Sequence, residues 1–441
     1  MPSKLGRIDL KIKNRLDSIL FYPEIYALAK ETGFLQRLRK VHPVYLLFVV
    51  MFTSTSHTRL TVSELWRRYQ LLVDSTISYQ SFFNRIDSRF CSFVRTVLFN
   101  SIEKVSETAL PEVKAKYQRF QSIFIKDNTI IRLHEKLAKK YPATRSRRVT
   151  AGLKVSVLFN AIRLTPTSIS FVSEKTHDIK TLKIGPWIRN SLIIMDLGFY
   201  RHWTFAKIIE NKGFFISRLK KNAKPRIEKI LTPCPDFFLQ SVKGLSWNEI
   251  LEKYPYDQFE AVISFPFKRH KNNGKHKQDI LKVRCVARYN RELQTWHSYI
   301  TNLQKNEFSV DEIYELYRFR WEIEMIFKEL KSEFDLGKIS TKKNKVIESQ
   351  IYCCILKLVL SRQLFLILQI NSAEKSEQLY SPLLWTRVFQ ENCYKVLDLI
   401  RHELKGNGFL DQLWGEFCHQ LTVLAKRYKM GPSLHQVIFT L

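Results

Sequence analysis

The sequence predicts an α/β protein in which a mixed sheet, covered by helices, lies between helical N-terminal and C-terminal regions. Three observations lead there. Residues 1 to about 115 read as helices; from Ser122 the chain switches to short runs rich in Ile, Val and Phe; and a long apolar helix spans about Val346 to Ile370. Strand-like runs that first follow one another and then alternate with helices imply a mixed sheet.

In the first region Pro23, Pro43 and Pro111 punctuate the helices, and Gly6 and Gly33 are its only glycines. Residues 61–64, from Thr61 to Glu64, form a capping-box pattern that opens the helix SELWRRYQLL. After a turn-like stretch at 73–76, ISYQSFFNRIDSRF reads as a second helix carrying Arg85 and Arg89. The pair suits a helix-turn-helix that reads DNA, and it equally suits an ordinary helical domain.

The strand candidates are SIFIKD, TIIRL, LKVSVLFNAI, SISFVS and SLIIMD, followed by the helical WTFAKIIENKG and the strand-like FFISRLK. Between the second and third runs lies a basic loop with Lys136, Lys139, Lys140, Arg145, Arg147 and Arg148, either a solvated charge run or a phosphate contact. Residues 222–304 interrupt the pattern with Pro-rich turns and the strand candidates EAVISFPF, ILKVRCVARY and TWHSYITNL, a mainly β insertion. From Ser372 the chain is helical and nearly neutral, which suits packing or dimerisation better than a DNA surface.

Charge narrows the function. Against 41 Asp plus Glu stand 72 Lys plus Arg, a net +31, which favours a polyanionic partner and salt-dependent binding. Seven cysteines without a CxxC pair suggest neither a disulfide framework nor a zinc ribbon, and fit a reducing cytosol. His270, His276, Cys285 and His297 match no compact zinc spacing. No Walker-type or dinucleotide-type glycine loop is present. The N-terminus lacks the apolar core of a signal peptide, and Lys357, Arg362 and Gln363 interrupt the stretch Ile351 to Ile370, so a buried helix is expected there and no membrane role.

Two strand candidates finish in a single acid, Asp127 after SIFIKD and Asp196 after SLIIMD. Buried strands rarely end in Asp unless a turn or a ligand satisfies it. The third acid lies in YRFRWEIEMIFKELK. At about 100° per residue, Tyr317, Arg320, Glu324, Lys328 and Lys331 fall within roughly 80° of one another, with Phe319, Ile323, Ile326, Phe327 and Leu330 in a separate apolar stripe. Two strand ends and a helix thus supply the oxygen donors that a pair of Mg²⁺ ions requires for in-line phosphoryl displacement, with cations beside them for phosphates.

The pattern Tyr317-x2-Arg320-x3-Glu324-x6-Lys331 resembles the signature of bacterial insertion-sequence transposases of the IS-four family, the DDE class that includes the Tn-five type. KDNT at Asp127, MDLGF at Asp196 and SRLKKN at Arg218 look like that family's other blocks, and the resemblance covers roughly residues 115–370. Asn128 stands where many relatives have Ser or Gly, and Leu197 where they have Arg.

The resemblance implies an RNase H-like catalytic domain acting on double-stranded DNA by cut-and-paste transposition. The implied division is a helical DNA-binding region (1–115), the first part of the catalytic core (116–221), the β-rich insertion (222–304), the second part with the Glu helix (305–371) and a helical C-terminal region (372–441). Asp127, Asp196 and Glu324 are the implied ligands of two Mg²⁺ ions, for which Mn²⁺ substitutes. Tyr317, Arg320 and Lys331 are the implied phosphate contacts, joined by Arg218 and Lys328. An insertion Trp stacks on a flipped base in relatives that form hairpins; Trp296 is the candidate here, or else a strand-core aromatic. Synapsis of two ends calls for a homodimer, at work on DNA in the bacterial cytoplasm. A plain metal-dependent nuclease, or a catalytically silent DNA-binding protein derived from a transposase, are the other readings.

Overall fold

The computed structural model describes residues 19–37, 41–53, 61–73, 76–107, 114–144, 150–270, 276–332, 341–373 and 381–404, together with 416, 417, 420 and 423. Arg145, Arg147 and Arg148 of the basic loop, residues 1–18 and nearly all of the tail beyond 404 lie outside them.

The N-terminal helices are α1 (Tyr22–Glu31), α2 (Pro43–Phe52), α3 (Val62–Leu72), α4 (Tyr79–Arg85) and α5 (Ser88–Glu107). Thr61 caps α3 by accepting from the Glu64 amide at 3.2 Å, while the Glu64 carboxylate turns to Arg67 and Arg68. Only half of the expected capping box therefore forms. The single helix expected over ISYQSFFNRIDSRF is two, α4 and the start of α5. The break comes at Asp87, whose Oδ1 accepts from the Arg89 and Phe90 amides at 2.9 and 3.0 Å and so caps a new helix.

One sheet follows, in the spatial order β3-β2-β1-β4-β5-β9-β8-β7-β6. Its strands are β1 (Ile123–Leu133), β2 (Ala151–Asn160), β3 (Thr165–Ser173), β4 (Leu192–Met195), β5 (Phe214–Arg218), β6 (Arg226–Ile230), β7 (Gln258–His270), β8 (His276–Asn290) and β9 (Thr295–Thr301). β1, β2 and β3 are an antiparallel meander, whereas β4 and β5 run parallel to β1. β4, with parallel neighbours on both sides, is buried at every position, which is why its sequence is the uninterrupted apolar run LIIM. This five-stranded mixed unit, with helices on its faces, is the RNase H-like core.

SIFIKD and TIIRL are not two strands. β1 passes unbroken through Asp127 because β2 pairs with it from Phe124 to Leu133. Only its parallel pairing with β4 stops short, at Lys126 opposite Met195.

After β5 come β6 and two short helices, α7 (Asp236–Ser241) and α8 (Trp247–Lys253), all three unforeseen from the sequence. Preceding β5 is α6 (His202–Glu210). β7 and β8 form a long hairpin, and β9 then pairs with both β8 and β5, so residues 222–304 extend the same sheet. Helices α9 (Val310–Arg318), α10 (Arg320–Ser332), α11 (Asn344–Ala373), α12 (Pro382–Glu391) and α13 (Cys393–Leu404) complete the described chain.

The sheet has a core on each face. One joins Ile125 and Ile194 to α5, α10 and α11; the other joins Phe124 and Met195 to α6 and α8. Helix α11 is long and apolar enough to cross a membrane, yet the 18-residue apolar window within Asn344–Ile367 is 94% buried within the fold. It is the central core helix. Its Arg362 pairs at 2.5 Å with fully buried Glu329 of α10, which also accepts from Thr386 of α12 at 3.1 Å.

Candidate catalytic site

The parallel register of β1 and β4 runs from Ile123 opposite Leu192 to Lys126 opposite Met195, so the next pair is Asp127 beside Asp196. Adjacent strands lie about 4.8 Å apart, and side chains alternate faces. Asp127 therefore follows Ile125, and Asp196 follows Ile194, onto the face covered by α10. Asp196 still has extended backbone (ψ 168°) as its carbonyl opens the turn Leu197–Phe199 by accepting from the Phe199 amide, which keeps the alternation intact.

Helix α10 brings Glu324 over these two acids. Its Ile323, Ile326, Phe327 and Leu330 are buried in the core beneath, and the Glu329–Arg362 pair fixes it from behind. The electrostatics register the approach. Burial first, and then the charges of Asp196 and Glu324, push the Asp127 carboxyl up to about 6, against the opposing effects of the Asn128 amide and Arg320. The amide donates to Asp127 Oδ1 at 2.7 Å.

Tyr317 is not on the same helix as Glu324. The Phe319 amide bonds back to Leu316, tightening the last turn of α9, and α10 begins anew at Arg320. The sector expected of one continuous helix holds only from Arg320 onward. Tyr317 nevertheless reaches the site: it is buried against the Tyr299 ring, 4.7 Å between centroids, and feels the charges of Arg320, Asp196 and Arg218. Burial chiefly raises its hydroxyl well above the ordinary tyrosine range.

Arg320 is 9% exposed and bonds the Glu324 carboxylate one turn along the helix. Among the described residues, Arg320 Nε and the Tyr317 hydroxyl are buried polar atoms that meet no hydrogen-bond partner. Lys331 lies close enough to Asp127 to feel its charge, though burial and the neighbouring Arg132 outweigh that and lower its pKa. Lys328 is exposed on the same helix. Arg218 closes the edge from β5, with its guanidinium 3.1 Å from Nδ1 of His297, a residue the sequence had not singled out for this face.

Trp296 stands apart. On β9 it alternates with His297 and so points to the opposite side of the sheet, edge-on to Tyr289 (5.4 Å) and 6.5 Å from Tyr254, half-buried in the second core. Among the described residues, no three His, Cys, Asp or Glu side chains close into a ready-made metal cage. Asp127 and Asp196 are adjacent hard-oxygen donors, and Glu324 is the third carboxylate but is turned to Arg320. The donor chemistry suits a hard divalent cation, because like charges side by side in a half-buried site call for a compensating positive charge.

A fourth carboxylate, Asp178, escaped the sequence. It receives the Asn128 side-chain amide at 2.7 Å behind β1, a contact between positions 50 residues apart with no local pattern to betray it.

The chain is similar to known proteins at two levels, a family and individual relatives. The family described as Transposase DDE domain matches residues 118–360. The transposase for insertion sequence element IS1151 of Clostridium perfringens is 21% identical over 410 residues, 86% of this chain and 85% of its own length. The transposase for insertion sequence element IS231D of Bacillus thuringiensis subsp. finitimus is 24% identical over 442 residues, with coverage of 90% and 87%.

Proposed function

The chain belongs to the transposase family built on the DDE domain, and from that premise we propose that Asp127, Asp196 and Glu324 are the acids with which it cuts and rejoins the ends of an insertion sequence. What carries the reading is the convergence of β1, β4 and α10, which sets two aspartates side by side under the helix that bears the glutamate. These three carboxylates would hold two Mg²⁺ or Mn²⁺ ions. Bound there, such ions supply Lewis-acid stabilisation of the attacking and leaving oxygens of a phosphodiester.

The remaining residues handle DNA. Arg320 and Tyr317, which both feel the charge of Asp196, carry buried, unpartnered polar atoms, which favours a phosphate oxygen as their missing partner. Arg218, Lys328 and Lys331 ring the acids with positive charge and orient the flanking backbone. Water as nucleophile nicks a strand; a 3′-hydroxyl in its place joins one. With cations bound, Glu324 would serve as a ligand, and Arg320 would be left free to meet a phosphate oxygen. The partner is double-stranded DNA, transposon end and target, with two copies of the chain joining two ends, in the bacterial cytoplasm. The packing of Trp296 favours its strand-core reading over base stacking.

The test uses a duplex that carries the element's own terminal inverted repeat. Each of Asp127→Ala, Asp196→Ala and Glu324→Ala is expected to lose Mg²⁺-dependent cleavage by orders of magnitude while end binding persists, since affinity comes from Lys and Arg. Near-normal nicking by any one variant removes that residue from the site.

A further inference from the structure

Asp178 opens the turn Asp178–Thr181 after β3 and lies behind β1, on the opposite side from Glu324. Its Oδ1 accepts from Lys154 Nζ at 2.6 Å and from the Asn128 amide nitrogen at 2.7 Å. Lys154 is itself buried and also donates to the Thr176 carbonyl at 2.5 Å. A buried ammonium requires a paired charge, so Lys154 fixes Asp178 in place. Asn128 in turn donates its backbone N–H to Asp127 Oδ1 at 2.7 Å. The chain of contacts thus runs from Lys154 through Asp178 and Asn128 to the first acid.

The other oxygen of Asp178 faces the second acid's turn. A Cβ on Gly198, two residues after Asp196, would stand 2.6 Å from Asp178 Oδ2. Only the missing side chain lets that turn close against the carboxylate. One residue therefore abuts both acid-bearing segments.

We infer that Asp178 is a positioning residue that ties the middle of β1, at Asn128, to the turn after β4 and so fixes the spacing of the Asp127 and Asp196 carboxylates. The inference rests on the reading of those two acids as metal ligands. Two cations about 3.5–4 Å apart tolerate little drift in their shared ligands, and loss of such outer partners typically weakens metal affinity about 10–100-fold.

Isothermal titration of the full-length protein with Mn²⁺ tests it. Asp178→Ala strands Lys154, so Asn128→Ala is the decisive variant: it leaves the Asp178–Lys154 pair and the backbone N–H bond to Asp127 whole, and removes the side-chain bond that joins β1 to Asp178 together with the 3.4 Å contact from the Thr181 hydroxyl. The half-saturating Mn²⁺ concentration should rise at least tenfold in Asn128→Ala with an unchanged melting temperature, and the double variant should be no weaker than Asp178→Ala. Wild-type Mn²⁺ affinity in folded Asn128→Ala overturns the inference. Asp127→Ala and Asp196→Ala, titrated alongside, separate the two levels. If they too bind Mn²⁺ normally, the ligand assignment falls; if they lose it while Asn128→Ala does not, only the role of Asp178 falls.

Discussion

Replacing Asp127 by Asn should stabilise the protein while destroying its cleavage activity. Asn keeps the shape and an oxygen for the Asn128 amide but removes a charge that the fold disfavours. The carboxyl stands near 6 instead of 3.8, burial being the chief cause. A shift of about two units at about 1.4 kcal/mol per unit sets a ceiling of about 3 kcal/mol. Partial solvent access reduces the expected gain to about 1–2 kcal/mol.

The pH dependence has a definite sign. Well below pH 3.8 the carboxyl is protonated in folded and unfolded chains alike, so the group gives wild type its full relative stability. Between pH 4 and 6 the unfolded chain ionises first, and that advantage drains away. Above pH 6 the variant leads by the full amount. Urea midpoints of both proteins in EDTA at pH 4 and pH 8 measure this, and Mg²⁺ added at pH 8 should narrow the gap by stabilising wild type alone. A variant no more stable than wild type at pH 8, or equally favoured at pH 4, refutes the reasoning.

Three further outcomes are expected. Arg320→Ala should lower cleavage at least tenfold, about 1.4 kcal/mol in the transition state, with little change in melting temperature; unaltered kinetics would reduce its bond with Glu324 to helix-surface pairing of about 0.3–0.5 kcal/mol. Glu329→Gln leaves the Arg362 guanidinium buried without its carboxylate and should destabilise the fold by about 3–5 kcal/mol in denaturant titration; a loss under 1 kcal/mol would show that α10 is held by its apolar face alone. Trp296→Ala should lower the melting temperature, since core Trp truncations cost about 3–5 kcal/mol. A normally stable variant defective only in hairpin formation would restore the base-stacking role.

The three acids were legible because each announces itself locally, two at the end of apolar runs and one in a helix with spaced cations. Their companions depend on distant partners. Asp178 lies among ordinary loop residues, and only folding brings Asn128, Lys154 and Gly198 to it. The break between Tyr317 and Arg320 hides because Phe319 keeps helical dihedrals (φ −63°, ψ −15°) and suits either a continuous helix or a tight end. β6, with the exposed, charged sequence RIEKI, offers no apolar run to mark it as a strand. Asp127 looked like a strand end because its side chain is polar, whereas the backbone continues by pairing with β2.

The route of the chain through β5 and β9 also places Glu324 late in synthesis. The chain passes through β9, paired with β5, before α9 and α10 cross β1, so both aspartates are synthesised well before Glu324. Contacts so distant in sequence form late, after the loop-closure entropy between them has been met. On the ribosome, where folding proceeds from the N-terminus, a nascent chain halted anywhere before α10 holds an incomplete acid set. Under the proposed assignment, every truncated product that ends within the first three hundred residues lacks Glu324 and cannot cut the chromosome of the cell that makes it.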